Sequence, residues 1–222
     1  SQPDVIDQVL IDFGDAIGEA EEFSLLDGDP TATATAPTPS SATSSNWFVF
    51  DPRLIFDGIF PTASGSGAAT TVDASGSTID LDMINQAIFN LGKFGRNRNR
   101  LIGLLPSVQA ALIRQDSNFK DASVSGEALA SFITGMGNTE GNGIVAIIYG
   151  IPFYEVPQVT NTDQIAIIDK TSPAIGDRRK IKLASDEVIE ADQRKYVTSE
   201  RIAFNYDYED SLVLIDDLNT SF

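Results

Sequence analysis

Residues 141–159 read GNGIVAIIYGIPFYEVPQV, and this stretch decides the fold class. Ile144 to Tyr149 is an unbroken apolar run rich in β-branched side chains, the pattern of a buried strand. Gly150 supplies a turn, because without a Cβ it takes positive φ at little cost. Ile151 to Val156 reads as a second strand, and Pro157 ends it by removing a ladder donor. The stretch therefore predicts a hairpin with Ile147 in the core. The small-residue run before it, GMGNTEGNG, predicts a flexible approach loop. Tyr149, Tyr154 and Glu155 are its only reactive side chains. The two tyrosines are expected as core or interface anchors rather than as catalytic groups.

Working outward, the chain delivers helices to this hairpin and then leaves it as strands. Pro3 to Leu26 carries Val5, Ile6, Val9, Leu10, Phe13, Ile17 and Ala20 at helical spacing, with Gly28 closing the helix in a DGDP turn. Gly14 and Gly18, four apart, either admit a second backbone or simply weaken the helix. Thr31 to Asn46 is almost entirely Thr, Ala, Pro and Ser. It has nothing to bury and predicts a mobile insertion over residues 30–46. Trp47 to Phe60 is aromatic and aliphatic and should pack back onto the body, whereas Pro61 to Ser77 reads as another small-residue loop. Thr78 is the expected N-cap of a helix from Asp80 to about Gly92. A short buried strand (Arg100 to Leu105) and a helix begun by Pro106 (Ser107 to about Gln115) follow. Asn118 to Met136 holds at most a short helix around Glu127 to Ile133. Beyond the hairpin, strands are expected at Gln164 to Asp169, Arg179 to Glu190, Ser199 to Tyr208 and Leu212 to Ile215, with a polar turn at Asp192 to Tyr196. The whole predicts a mixed α+β chain.

Composition removes several chemistries. The 222 residues contain no Cys and no His, which excludes disulfides, thiolate nucleophiles, a Ser-His-Asp triad and the commonest metal ligand. A hydrophobic fraction of 42% suffices for a core in one large domain or two small ones. No apolar run approaches the length needed to cross a bilayer, and no signal peptide or membrane partner is expected. The chain starts with Ser rather than Met, as expected of a processed or partial product. A net charge of −17 argues against nucleic-acid binding as the main activity. That charge is uneven: Ser1 to Gly92 holds fourteen acidic residues against Arg53 alone, while Lys93 onward holds fourteen basic against eighteen acidic. The basic residues gather at Lys93, Arg96, Arg98 and Arg100, and again at Arg178, Arg179, Lys180 and Lys182. Such asymmetry suits complementary contacts between copies of one chain, and equally suits a set of solvated faces.

No motif supplies a reaction. Gly92-Lys93 lacks the upstream Gly and the following Ser or Thr of a phosphate loop. Gly135, Gly137 and Gly141 miss the dinucleotide spacing by one. Asp27 and Asp29 resemble the start of a calcium loop without its later ligands. Paired carboxylates (Glu21 and Glu22, Asp216 and Asp217) are what any acidic chain must have, and nothing singles out a catalytic pair. Lys93 to Arg100 carries one aromatic, Phe94, and reads as a solvated or intersubunit loop before it reads as a nucleic-acid site. No catalytic residue, metal ligand or cofactor site is nominated.

The order of segments resembles the major capsid protein of tailed phages with the Hong Kong 97-type fold, over nearly the whole chain. The first helix ending in LLDGDPT resembles the family's spine helix with its Leu-Leu-x-Gly turn, and DGIFPTAS resembles the segment after it. The helix at Asp80 to Leu91, followed by LIGLLPSVQAALIRQDSN, matches the family's helix, strand and Pro-led helix. GNGIVAIIYGIPFYEVPQV matches its hairpin, and RRKIKLASDEVIEADQRKYVTSERIAFNYDYEDSLVLID its closing strands. The resemblance implies a peripheral domain (residues 1–60 and 177–205) and an axial domain (61–176 and 206–222). It implies a non-enzymatic structural role: self-assembly as hexamers and pentamers into an icosahedral head, assembled in the host cytoplasm, that encloses phage DNA held by nonspecific contact. Portal, scaffold or decoration proteins would be further partners.

Two departures bear on that expectation. The family places an N-terminal arm and an extended loop before the spine helix; neither has a counterpart here, and Thr31 to Phe56 has none in the family. Some members form a Lys–Asn isopeptide cross-link, but the Lys belongs to the missing loop. The position for the Asn falls near Ser199, so no cross-link is expected. The alternatives are an encapsulin-like compartment shell, a carboxylate-dependent hydrolase and a surface-binding module suggested by the Thr/Ala/Pro/Ser tract.

Overall fold

The computed structural model describes residues 3–29, 56–115, 144–188 and 193–221. The expected insertion over 30–46, most of the aromatic segment after it, the segment around Glu127 to Ile133 and the approach loop before the hairpin lie outside them. The chain is a mixed helix-and-sheet fold, as its pattern predicts. Its helices are α1 (Pro3–Asp27), α2 (Ile59–Ser64), α3 (Leu81–Asn90) and α4 (Ser107–Gln115). Its strands are β1 (Val72–Asp73), β2 (Leu101–Leu105), β3 (Ile144–Ile148), β4 (Ile151–Glu155), β5 (Ile165–Asp169), β6 (Pro173–Val188), β7 (Gln193–Tyr206) and β8 (Leu212–Asp216).

Six strands form one sheet in the order β1-β8-β5-β2-β4-β3, and β6 and β7 form a separate two-stranded ribbon. In the sheet, β1 runs parallel to β8 and β2 parallel to β4, while the other pairs are antiparallel. The inner strands β2, β5 and β8 are apolar but for their terminal Asp169 and Asp216, because both sheet faces are covered. Ile165, Ile167, Val213 and Ile215 point into a cluster roofed by α3 and α4. Their neighbours Ala166, Ile168, Leu212 and Leu214 point the other way, onto Leu26 at the end of α1 and Phe60 of α2. The period of two thus distributes each strand between two layers of core.

The hairpin forms with its turn at Tyr149 and Gly150, both at positive φ (52° and 81°), the pairing a tight primed turn requires. Its place corrects one expectation. β3 is the outer strand of the sheet, so Ile147 is half-buried, while Ala146 and Ile148 point inward. The deepest core lies in β5 and β8 instead.

Other boundaries differ for local reasons. Asp80, not Thr78, caps α3: its Oδ1 accepts from the Leu81 amide at 2.6 Å. Ile79 and Ile84 flank that cap, and both are buried in the same cluster, a hydrophobic staple that fixes where the helix starts. Pro61 to Ser77 is not a simple loop, since it contains most of α2 and the short β1. β6 begins at Pro173 rather than Arg179, and β7 already runs at Gln193, where a turn was expected. Pro173, Gly176 and Asp177 are poor strand formers, but they pair with the alternating Ile202, Phe204 and Tyr206 region, and cross-strand packing overrides propensity.

The end of α1 is pinned to the start of α2 through two glycines. The Gly28 amide donates to Ser24 O (3.0 Å) and the Gly58 amide to Gly28 O (2.6 Å). A Cβ on Gly28 would sit 2.3 Å from Phe56 O, so only glycine allows the two backbones to cross there.

Candidate assembly interface

The groups singled out in the sequence do not converge on a reactive centre. Lys93 lies 3.5 Å from Asp210 and over the rings of Phe94 and Tyr208. Arg98 donates to Tyr149 O (3.3 Å), with its guanidinium 5.5 Å from the Tyr149 ring, so it braces the hairpin tip. Arg100 pairs with Asp169 at 3.1 Å and also contacts Thr171 Oγ1. Three of the four loop cations are therefore engaged within the chain, which ties the loop to the sheet; Arg96 is exposed. Of the second basic cluster, Lys180 and Lys182 are exposed on β6.

The acidic candidates are structural as well. Asp27 Oδ2 accepts from the Thr160 amide at 2.6 Å, joining α1 to the loop after β4 rather than opening a calcium loop. Asp216 accepts from Gln164 (3.0 Å) and from the Asp217 amide (2.9 Å). Glu155 pairs with Arg114 at 3.1 Å, and Tyr154 packs half-buried against the cluster beneath α1 and α2. Among the described residues, no group of three or more acidic side chains could hold a metal ion, and no helix is long and apolar enough to cross a membrane.

Two contacts were invisible in the sequence. Glu200 on β7 meets Glu21 on α1. Sharing a hydrogen bond with Glu21, loss of water, and the charges of Glu21 and Asp177 push its pKa up to about 7. Glu200 Oε2 is buried and meets no donor, as expected where the facing group is a second carboxylate. Nearby, Phe204 packs tilted against Phe56 and edge-on against Tyr206, with centroids 5.4 and 4.9 Å apart, and burial raises the Tyr206 hydroxyl pKa. An open cleft of about 400 Å³ lies beside them, between α2 and the base of the ribbon. Nothing in sequence spacing links residues 21 and 200.

What stands out is uncovered surface. α1 spans about 37 Å; among its described side chains, from Ile11 on, only Ser24 and Leu26 in the last turns are buried, and Ile11 is 57% exposed. The ribbon exposes Ile175, Ile181 and Val197, and away from its base its described side chains are in solvent. Phe89 on α3 is 82% exposed. A two-stranded ribbon alone is marginal in water. Large apolar side chains exposed on such a ribbon, with Ile11 on the long helix, are the chemistry of contact with other chains.

No protein-family model matches the sequence, and no curated protein matches it. Solved structures do match its fold. The capsid protein of an empty GTA particle superposes over 96% of this chain and 66% of its own, with a TM-score of 0.63 at 14% identity. The capsid protein of cyanophage A-1(L) superposes over 97% of this chain and 69% of its own, with a TM-score of 0.61 at 12% identity. An encapsulin from Synechococcus elongatus covers 75% of this chain and 58% of its own, with a TM-score of 0.50 at 10% identity. The chain spans between about half and about two thirds of the length of the structures it matches. Nearly the whole chain therefore has the fold of phage major capsid proteins.

Proposed function

We propose that this chain is a shell subunit, the major capsid protein of a tailed phage, with a Hong Kong 97-type fold in which α1 is the spine helix. The observation that carries the reading is the match of 96–97% of the chain to phage-type capsid subunits. Residues 1–60 and 177–205, with α1 and most of the ribbon, form the peripheral domain in this reading. Residues 61–176 and 206–222, with the six-stranded sheet, form the axial domain around the hexamer or pentamer axis. The role is mechanical. Many copies close an icosahedral head, each through heterologous contacts, and the head encloses DNA without base-specific readout. The virion is then its location, and portal, scaffold and decoration proteins its further partners. The uncovered α1 and ribbon surfaces support the reading, because a subunit built for a closed shell leaves such faces for its neighbours.

An encapsulin-type compartment shares the fold but matches less of the chain, with a lower TM-score. The test is the mass of the native particle of the full-length gene product, by analytical ultracentrifugation with electron microscopy. Closed shells, or free hexamers and pentamers, are expected, and DNA inside distinguishes a phage head from a compartment that holds protein cargo. A strict monomer at high concentration overturns the shell reading.

A further inference from the structure

Two uncovered faces of this chain have opposite and matching chemistry. α1 contains no Lys or Arg over its whole length. Ile11, Asp15, Gly18 and Glu22 follow one another at helical spacing along a single stripe, and all four are exposed. Nothing lies within 4 Å of where a Cβ on Gly18 would stand, so a second backbone has room to approach there. On β6, the run from Arg178 to Lys182 has four cations and no acid. Ile181 lies within it, 55% exposed, between the exposed Lys180 and Lys182. The strand register slips at this point, between Asp177 and Arg179 and again between Arg179 and Lys182, and such a bulge re-aims side chains out of the ribbon.

We propose that the Ile11/Asp15/Gly18/Glu22 stripe of one copy receives the Lys180–Lys182 bulge of a neighbouring copy. Ile181 lies over the gap at Gly18, and the two lysines meet Asp15 and Glu22 on either side of it. The occupant is a second copy of this chain, because the chain itself supplies both halves: an acidic stripe and a basic bulge, each with an exposed isoleucine and each left uncovered by its own subunit. The pairing is heterologous, stripe to bulge, as a closed shell requires. It rests on the shell-subunit reading and adds to it which surfaces meet.

The experiment uses the full-length chain, to which these 222 residues contribute no cysteine to interfere. Gly18→Cys and Ile181→Cys are combined in one chain, and particles are oxidised. A ladder of multimers on a non-reducing denaturing gel is expected, with at most dimers from either single variant. In parallel, Lys180→Glu with Lys182→Glu should lower the assembled fraction about tenfold, and adding Asp15→Lys with Glu22→Lys should restore it. Gly18→Leu provides an independent check, because it improves helix propensity while filling the gap. The monomer should melt no lower than wild type and assemble poorly. Wild-type particles that form normally, with no ladder and no response to charge reversal or to Gly18→Leu, overturn this contact and leave the shell reading intact. Wild-type chains that form no particles overturn both.

Discussion

Glu200 and Glu21 face each other across the junction of ribbon and helix, two carboxylates whose contact holds Glu200 protonated up to about pH 7. The folded-state pKa of Glu200 lies above its ordinary value of 4.5, so the folded chain binds the extra proton. The contact therefore contributes fully below about pH 4.5 and is lost as pH rises through about 7. Melting temperature should fall across that window in the wild type more than in Glu200→Gln, which keeps a donor and carries no charge. Parallel melting curves for the two proteins from pH 5 to 8 would contradict this.

Gly103 and Phe153 are register partners on the parallel strands β2 and β4. A Cβ at Gly103 would stand 2.3 Å from the Phe153 ring, in a site where Phe153 is fully buried. Gly103→Ala should cost about 1–3 kcal/mol through overpacking. Adding Phe153→Leu makes room, so the double variant should lose less than the sum of the two single losses. Chemical denaturation of the four proteins measures that coupling.

The sheet position of an isoleucine should decide its tolerance to charge. Ile167 is fully buried on the inner strand β5, whereas Ile147 is half-buried on the outer strand β3. Ile167→Asp should unfold the chain, because an unpaired buried charge costs several kcal/mol. Ile147→Asp should remain folded with a loss of about 1–2 kcal/mol. Circular dichroism melts of the pair decide it; equal losses would mean that the sheet order is wrong.

Asp169 is 2% exposed. It accepts from Arg100 and from the amide (3.0 Å) and hydroxyl (2.8 Å) of Thr171. Arg100→Ala removes the charged partner and leaves a buried carboxylate, at a cost of about 1–3 kcal/mol. The loss should persist at high salt, since the carboxylate is shielded from mobile ions. A loss that disappears in 1 M salt would mean the pair is effectively a surface contact.

Much of the fold was legible because its strongest elements carry their own local signals. Leu101 to Leu105 followed by Pro106 marks a buried strand and a helix start, and both fall where expected. The Gly28 turn and the Tyr149-Gly150 hairpin were legible from turn chemistry. Sheet order was not, because β1 and β8 pair across some 140 residues and no local pattern encodes that meeting. For the same reason the apolar run of β3 overstates the depth of Ile147, while its partner β4 is an inner strand with Ile151 and Phe153 fully buried: an apolar run indicates burial, not whether its strand is inner or outer. Of the candidate surface, the charge asymmetry and the basic clusters were visible in the sequence. The Glu21–Glu200 contact and the bulge around Ile181 were not, since both depend on which residues the fold brings opposite each other.

The sheet order has a consequence for synthesis. β8 lies between β1 and β5, yet it leaves the ribosome after the other seven described strands. Until Leu212–Asp216 is made, β5 and β1 each present an open backbone edge and the core has no inner strand on that side. Such edges recruit other chains. A nascent chain stopped just short of Leu212 would carry the four described helices and every described strand but β8 and still be unable to close, so the sheet must wait for β8 before it folds.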